Sequence, residues 1–304
     1  MQKRDIFIGL VVVTVWGLNF IAIKIGLKDV PPLLLGALRF LLACFPVILF
    51  LPRPPIPWPW LIALGLSINV GQFSFLFMGM KVGMPAGLAS LVLQSQAFFT
   101  LLVGVVWLGE RWSWNHLAGL ALSGSGMAII GFQQGGEMTA AGFGLTLTAA
   151  ACWGIGNVIM RRATQGLPPS SMLALVVWAG AVAILPLIVL SWMIEGYDAW
   201  LAAYHMSSLA SIGSIIYLSF FATLVGYALW GKLLSRHPAA VVSPLALLVP
   251  IVGMSSSALF LGEVVSLWQG LGALLVMAGL VVHVLGGRWR PVFLYGREVD
   301  NFRN

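Results

Sequence analysis

Asn19, Asn69, Gln72, Gln94, Gln96 and Asn157 stand inside stretches that are otherwise almost wholly apolar, and Arg39 stands inside another. Polar groups are costly in hydrocarbon, so those present face a cavity or another helix. An amide both donates and accepts hydrogen bonds, which suits contact with a neutral or zwitterionic molecule. On a helix, Asn69 and Gln72 are three apart and share a face, as do Tyr227 and Trp230. Gln94 and Gln96 point about 200° apart at 3.6 residues per turn, so at most one of them lines a given cavity wall. The competing role for each amide is a hydrogen bond between helices. Clustering at mid-depth favours the cavity.

Trp16 and Trp153 lie roughly ten residues, about 15 Å, into their stretches, too deep for an interfacial belt. Cavity wall or helix packing is expected for both. Arg39 is a candidate contact for a substrate carboxylate, although snorkelling along its helix to the interface is the favoured reading. Pro244 and Pro250 are candidate hinges, with static kinks as the alternative; Pro46 and Pro186 also fall inside apolar stretches. No Asp or Glu lies mid-stretch, so a proton antiporter of organic cations is disfavoured. Paired acids, metal-ligand clusters and a Ser–His arrangement at depth are lacking, so no enzyme, metal or cofactor is expected. Cys44 and Cys152 lie in apolar runs and are read as packing residues.

The elements that must hold these groups are membrane helices. The chain is 60% hydrophobic and 8% charged, with a mean hydropathy of +0.99. A soluble domain is about a quarter charged. Ten stretches are long enough to span a bilayer: 6–26, 31–52, 58–80, 84–108, 113–132, 142–161, 172–194, 207–231, 239–261 and 266–286. They lack the alternation of a membrane β-barrel. The net charge of +7 is spread over short loops and the tail, without the basic stripe of a nucleic-acid binder. With the amino terminus inside, most Lys and Arg fall on the inner face, so both termini are expected in the cytoplasm. The first stretch is read as a retained span, not a signal peptide, because no small-x-small cleavage site closes it.

The chain also contains itself twice. Trp16-Gly17 and Pro31-Pro32 return 137 residues later as Trp153-Gly154 and Pro168-Pro169. Pro85-Ala86 and Leu108-Gly109-Glu110 return 153 residues later as Pro238-Ala239 and Leu261-Gly262-Glu263. The change of offset implies an insertion, expected between the seventh and eighth spans. Five spans per copy is an odd number, so the copies face opposite ways, as in many secondary transporters. The expected fold is an all-α integral membrane protein of ten transmembrane helices, built as two inverted five-helix repeats around a central cavity. The repeats cover 1–134 and 135–288, with a cytoplasmic tail over 289–304. Gly119, Ser123, Gly126, Gly272 and Gly279 form small-residue faces, read as packing between the fifth and tenth spans or with a neighbouring protomer.

Four motifs carry a family resemblance: Trp16-Gly17-Leu18-Asn19-Phe20, Pro31-Pro32 through Arg39-Phe40, Gly83-Met84-Pro85-Ala86-Gly87-Leu88-Ala89-Ser90, and Gly109-Glu110-Arg111. In this order the chain resembles the drug/metabolite transporter superfamily, and within it the ten-helix EamA-type exporters of bacteria. The run from Gly83 to Phe99 is most similar to exporters of cysteine and related metabolites, and the plan is shared by YddG-type amino-acid exporters. The resemblance implies a basket around a central cavity, in the bacterial inner membrane, working as an alternating-access exporter. The expected substrate is a small amino acid or related neutral or zwitterionic metabolite, held by Trp16, Asn19, Asn69, Gln72, Gln94, Trp153, Asn157, Tyr227 and Trp230, with Arg39 in reserve. A multidrug exporter of the same superfamily is the alternative. The partners are the small molecule and the lipid bilayer, and the fused copies make a monomer sufficient.

Overall fold

The computed structural model describes residues 1–109, 113–132, 138–165 and 172–285, and among them every long element is an α-helix. Glu110, Arg111, Pro168, Pro169 and the tail over 289–304 lie outside the described residues. Nine helices there are long and apolar enough to cross a membrane. They are α1 (Lys3–Asp29), α2 (Pro32–Leu49), α3 (Trp58–Lys81), α4 (Ala86–Leu108), α6 (Ala140–Thr164), α7 (Met172–Ile194), α8 (Leu209–Arg236), α9 (Ser243–Leu261) and α10 (Leu267–Leu285). Between them, α5 (Trp114–Phe132) has the same 19 residues as α10 but is less apolar. It opens on Trp114-Asn115-His116 and carries Ser123, Ser125 and four glycines. Helices suit this composition because hydrocarbon offers no partner to a backbone N–H or C=O, and a helix satisfies its own.

Five of the helices are not regular along their length; α2 is α-helical only to Cys44 and finishes in a 3₁₀ turn over Val47–Leu49. The turn widens to a π-helix over Gly65–Gln72 in α3 and over Tyr217–Val225 in α8. It tightens to a 3₁₀ helix over Leu93–Ser95 in α4 and Ser243–Leu248 in α9. After these breaks, regular helix resumes over Gln96–Leu108 and Val249–Leu261, and each ends on a left-handed glycine, Gly109 (φ 68°) and Gly262 (φ 67°). Pro244 lies within the 3₁₀ stretch, and Pro250 occupies the first turn of the helix that follows, where its missing N–H costs no helical bond. Between α7 and α8 lies a further short helix, Gly196–Met206.

Glycines set how closely the helices cross. A Cβ added to Gly17 would stand 2.5 Å from Val252 Cγ1 of α9, and one on Gly154 of α6 would stand 2.5 Å from Phe99 Cβ of α4. On the periphery, α5 and α10 touch backbone to backbone: Gly119 meets the carbonyl of Gly279, and Gly126 that of Gly272. Ser123 Oγ donates to Val276 O at 3.0 Å across the same seam. The small-residue faces therefore pack these two helices together, as expected. Cys44 and Cys152 likewise sit in packing contacts, Cys44 Sγ donating to Val177 O at 3.1 Å and Cys152 lying against Gly71.

At the end of the bundle where α1 hands over to α2, carboxylates at helix C-termini cap the N-termini of other helices. Glu195 accepts from the backbone N–H of Leu33 (2.7 Å) and Leu34 (3.1 Å). Glu263 does the same for Ala86 (2.7 Å) and Gly87 (2.9 Å). Asp29 accepts from Ser208 N–H (2.9 Å) and from the Ser211 hydroxyl (2.7 Å) at the start of α8. Each satisfies orphan donors and sits at the positive end of a helix dipole. Beneath them Ile23, Leu27, Leu33, Leu35, Phe77, Met80 and Met84 are all buried and close this end. At the opposite end, Asp5 in the first turn of α1 pairs with Arg236 (3.2 Å) and His237 (2.8 Å) after α8.

The backbone contact of α5 with α10 predicts the effect of one methyl group. Gly126→Ala places a Cβ 2.5 Å from a backbone oxygen that cannot step aside. Overpacking of this kind costs about 1–3 kcal/mol. The melting temperature of the purified protein in detergent should fall by several degrees. Gly124→Ala on the same helix, where a Cβ meets nothing within 4 Å, should leave it unchanged or higher. Equal behaviour of the two variants contradicts the close approach.

Candidate functional site

A cavity of about 270 Å³ lies in the middle of the bundle. It draws on α1, α2, α3, α4, α6, α7, α8 and α9, so α5 and α10 stay outside it. Its wall includes Trp16, Asn19, Asn69, Gln72, Gln94, Trp153, Asn157, Tyr227, Trp230 and Arg39. Every residue expected to contact substrate is thus brought to one space. Of the two candidate hinges, Pro244 and Pro250, neither is on the wall, although Ala246 and Val249 between them are.

Arg39 departs from the expectation of snorkelling. It is 3% exposed, so the guanidinium does not reach the interface. Its Nε donates to Thr223 Oγ1 at 3.1 Å and its Nη1 to Asn19 Oδ1 at 3.4 Å. Its Cζ lies 4.3 Å from the centre of the Phe73 ring. The tether explains the correction: side chains from α1, α3 and α8 hold the guanidinium where a free one would extend. Two of its five N–H groups find acceptors, and the other three have none among the described residues. Arg39 is the single charged side chain among the described residues of the wall, and no acid faces it there.

The helix breaks decide where the amides point. Gln94 and Gln96 were expected on opposite sides of a regular helix, yet both reach the cavity wall. The 3₁₀ turn at Leu93–Ser95 lies between regular segments and changes the angular step that the expectation assumed. Gln94 Nε2 donates to Ala246 O at 3.1 Å, joining the break in α4 to the break in α9. Gln96 Oε1 accepts from Asn157 Nδ2 at 2.7 Å, and Asn157 also donates to Thr100 Oγ1 at 3.1 Å. These amides do bond between helices. The π-helical turns carry the others: Asn69 and Gln72 in α3, and Thr223 in α8, whose hydroxyl donates to Leu218 O five residues back at 2.8 Å.

Asn69 and Gln72 are 7% and 4% exposed, and neither side chain has a hydrogen-bond partner among the described residues. Buried amides are nearly always bonded, so two free ones on a cavity wall are groups that a ligand would satisfy. Opposite chemistry comes from an aromatic trio. The Trp16 ring centre is 5.3 Å from that of Tyr227 and 5.2 Å from that of Trp230. Trp16 Nε1 donates to Ala222 O at 3.1 Å, which fixes the indole and leaves its faces for contact. The polar cavity residues not singled out in the sequence are Thr223 and Ser90. Thr223 was within reach, because it stands four and seven residues before Tyr227 and Trp230 on one helical stripe.

The cavity thus joins a buried cation and free amides inside a multi-helix apolar bundle. The model of the EamA-like transporter family matches the chain twice, over residues 3–132 and 140–285. The chain belongs to the EamA-like transporter family. It is therefore a multi-pass membrane transporter and not an enzyme. It is similar to a protein of Salmonella typhimurium named "Probable amino-acid metabolite efflux pump", at 46% identity over 95% of this chain and 98% of that protein. It is similar also to a protein of Escherichia coli with the same name, at 43% identity over 97% of this chain and 100% of that protein. A solved crystal structure superposes with a TM-score of 0.62 at 20% identity, covering 95% of this chain and 99% of that one, which shows a shared fold.

The bonding pattern separates two kinds of amide. Asn157→Ala removes two hydrogen bonds and leaves the oxygen of Gln96 only the long contact with the Thr100 hydroxyl at 3.4 Å, a loss of about 1–2 kcal/mol that should lower thermal stability in detergent. Asn69→Ala and Gln72→Ala remove no bond within the protein and should unfold within about 0.5 kcal/mol of the parent. A clear loss of stability in either α3 variant would show that its amide is already engaged.

Proposed function

We propose that this protein exports small amino acids and related zwitterionic metabolites by alternating access through the central cavity. The observation that carries the reading is the composition of the wall: a buried, acid-free Arg39 beside two unengaged amides. A guanidinium out of water with no carboxylate is costly, and a planar substrate carboxylate would take up its free N–H groups. The names of the relatives at 46% and 43% identity point the same way. Asn19 and Thr223 orient Arg39; Asn69, Gln72, Gln94 and Asn157 supply amide contacts; Trp16, Trp153, Tyr227 and Trp230 supply the apolar faces.

The scaffold in this reading is ten helices in two inverted repeats, 1–134 and 135–288, in the bacterial inner membrane with both termini cytoplasmic and with one chain as the working unit. Support comes from the doubled family match and from elements that recur at the 153-residue offset. Gln96–Leu108 and Val249–Leu261 correspond residue for residue, and both π-helical turns end in register at Gln72 and Val225. Gly119 with Gly279 and Gly126 with Gly272 form one contact seen twice, as a two-fold axis through Ser123 and Val276 requires. In that orientation the packed and capped end faces outward, and the cavity extends inward past Met160, Met172 and Trp230. Pro244 and Pro250, flanking the break in α9, are the proposed bending points as the halves rock.

Purified protein in liposomes preloaded with unlabelled neutral amino acids should accumulate the radiolabelled ones by counterflow. Gln94→Ala and Asn157→Ala should lower the rate about tenfold or more while the variants remain folded. Full activity in both would remove them from the site, and no counterflow with any amino acid would overturn the function.

A further inference from the structure

We infer that the cavity also takes small 2-hydroxy acids, binding them about as well as the matching α-amino acids, and rejects the matching amines. The inference rests on the cavity being the transport site and assigns the kinds of carboxylic acid that site accepts.

The charge of the wall is one-sided. Arg39 is buried, positive and provided with free N–H groups, while no acidic side chain lines the cavity among the described residues. A carboxylate therefore has a charged, bidentate partner. An ammonium has none. Leaving water to meet only neutral groups is costly for a cation. Beyond Thr223 and Asn19, which Arg39 already engages, the same wall carries further neutral groups. The guanidinium lies over the ring of Phe73, and Gln72 and Asn69 precede that residue on the same helix, buried and unengaged. Both side chains are primary amides, with a donating and an accepting end.

A hydroxyl at the α-carbon donates to one amide oxygen and accepts from one amide N–H, so it satisfies both ends. An ammonium only donates, so the N–H ends of the amides oppose it. What retains the amino acid is the π-face of Trp16, Tyr227 or Trp230 on the same wall, a cation–π contact that a hydroxy acid does not need. The two classes thus share the Arg39 contact and differ in a region equipped for either. An amine without a carboxylate leaves Arg39 unsatisfied and adds like charge beside it.

L-Serine, L-glycerate and ethanolamine test this with one skeleton: glycerate exchanges the ammonium for hydroxyl, and ethanolamine lacks the carboxylate. In liposomes holding the full-length protein, counterflow of radiolabelled serine and of radiolabelled glycerate is measured separately, with each of the three as competitor. Labelled glycerate should be transported, with a half-inhibitory concentration within about threefold of that of serine, and ethanolamine should inhibit at least about thirtyfold more weakly. Asn69→Ala and Gln72→Ala should weaken glycerate competition about fivefold or more, and Arg39→Gln should abolish both transports. Serine transport without glycerate transport, or ethanolamine competing like serine, overturns this inference and leaves amino-acid export standing. Failure of both labelled substrates overturns the two together.

Discussion

Arg39 places a permanent charge between α1, α2, α3 and α8, and most of what is specific about this bundle answers to it. A guanidinium removed from water needs hydrogen bonds, a counter-charge or a polarisable surface. Here Thr223 and Asn19 provide the first and the Phe73 ring provides the last. The counter-charge is missing from the described wall, so the protein holds a cation whose best partner must come from outside.

Holding polar groups at depth demands departures from regular helix. The π-helical turn in α8 lets Thr223 donate five residues back while it accepts from Arg39. The matching turn in α3 presents Asn69 and Gln72 to the cavity with their hydrogen-bonding capacity unspent. Wide turns weaken the local ladder, and they occur where the backbone is surrounded by protein, which hydrocarbon tolerates better than exposure to lipid. The 3₁₀ breaks in α4 and α9 act as a pair, tied by Gln94 to Ala246 O. Close glycine crossings, Gly17 on α9 and Gly154 on α4, keep the broken helices in contact on both sides of the cavity.

The two ends of the bundle are built from different chemistry. Three carboxylates cap helix N-termini at one end, above a layer of buried apolar side chains. At the other, a single cluster of Asp5, Arg236 and His237 joins α1 to α8. Caps of this kind contribute about 0.5–2 kcal/mol each, enough together to favour one closed end without making it permanent.

Much of this was legible in the chain itself. Hydropathy and length marked the helices, and intramembrane polarity marked the amides that the fold brings to one wall, because burying an amide in hydrocarbon requires a reason. These features depend on composition and period, which a linear sequence carries. Three things it could not carry. Arg39 reads as a snorkelling side chain until Asn19 and Thr223, 20 residues before it and 184 after it, are brought to its N–H groups. Gln94 and Gln96 read as opposed until a 3₁₀ turn changes the angle between them. Asn69 and Gln72 look like Asn157 in sequence, yet only tertiary contact shows that Asn157 is bonded and they are free. In each case the deciding quantity is a partner's position in space, and that is set by packing between helices distant in the chain.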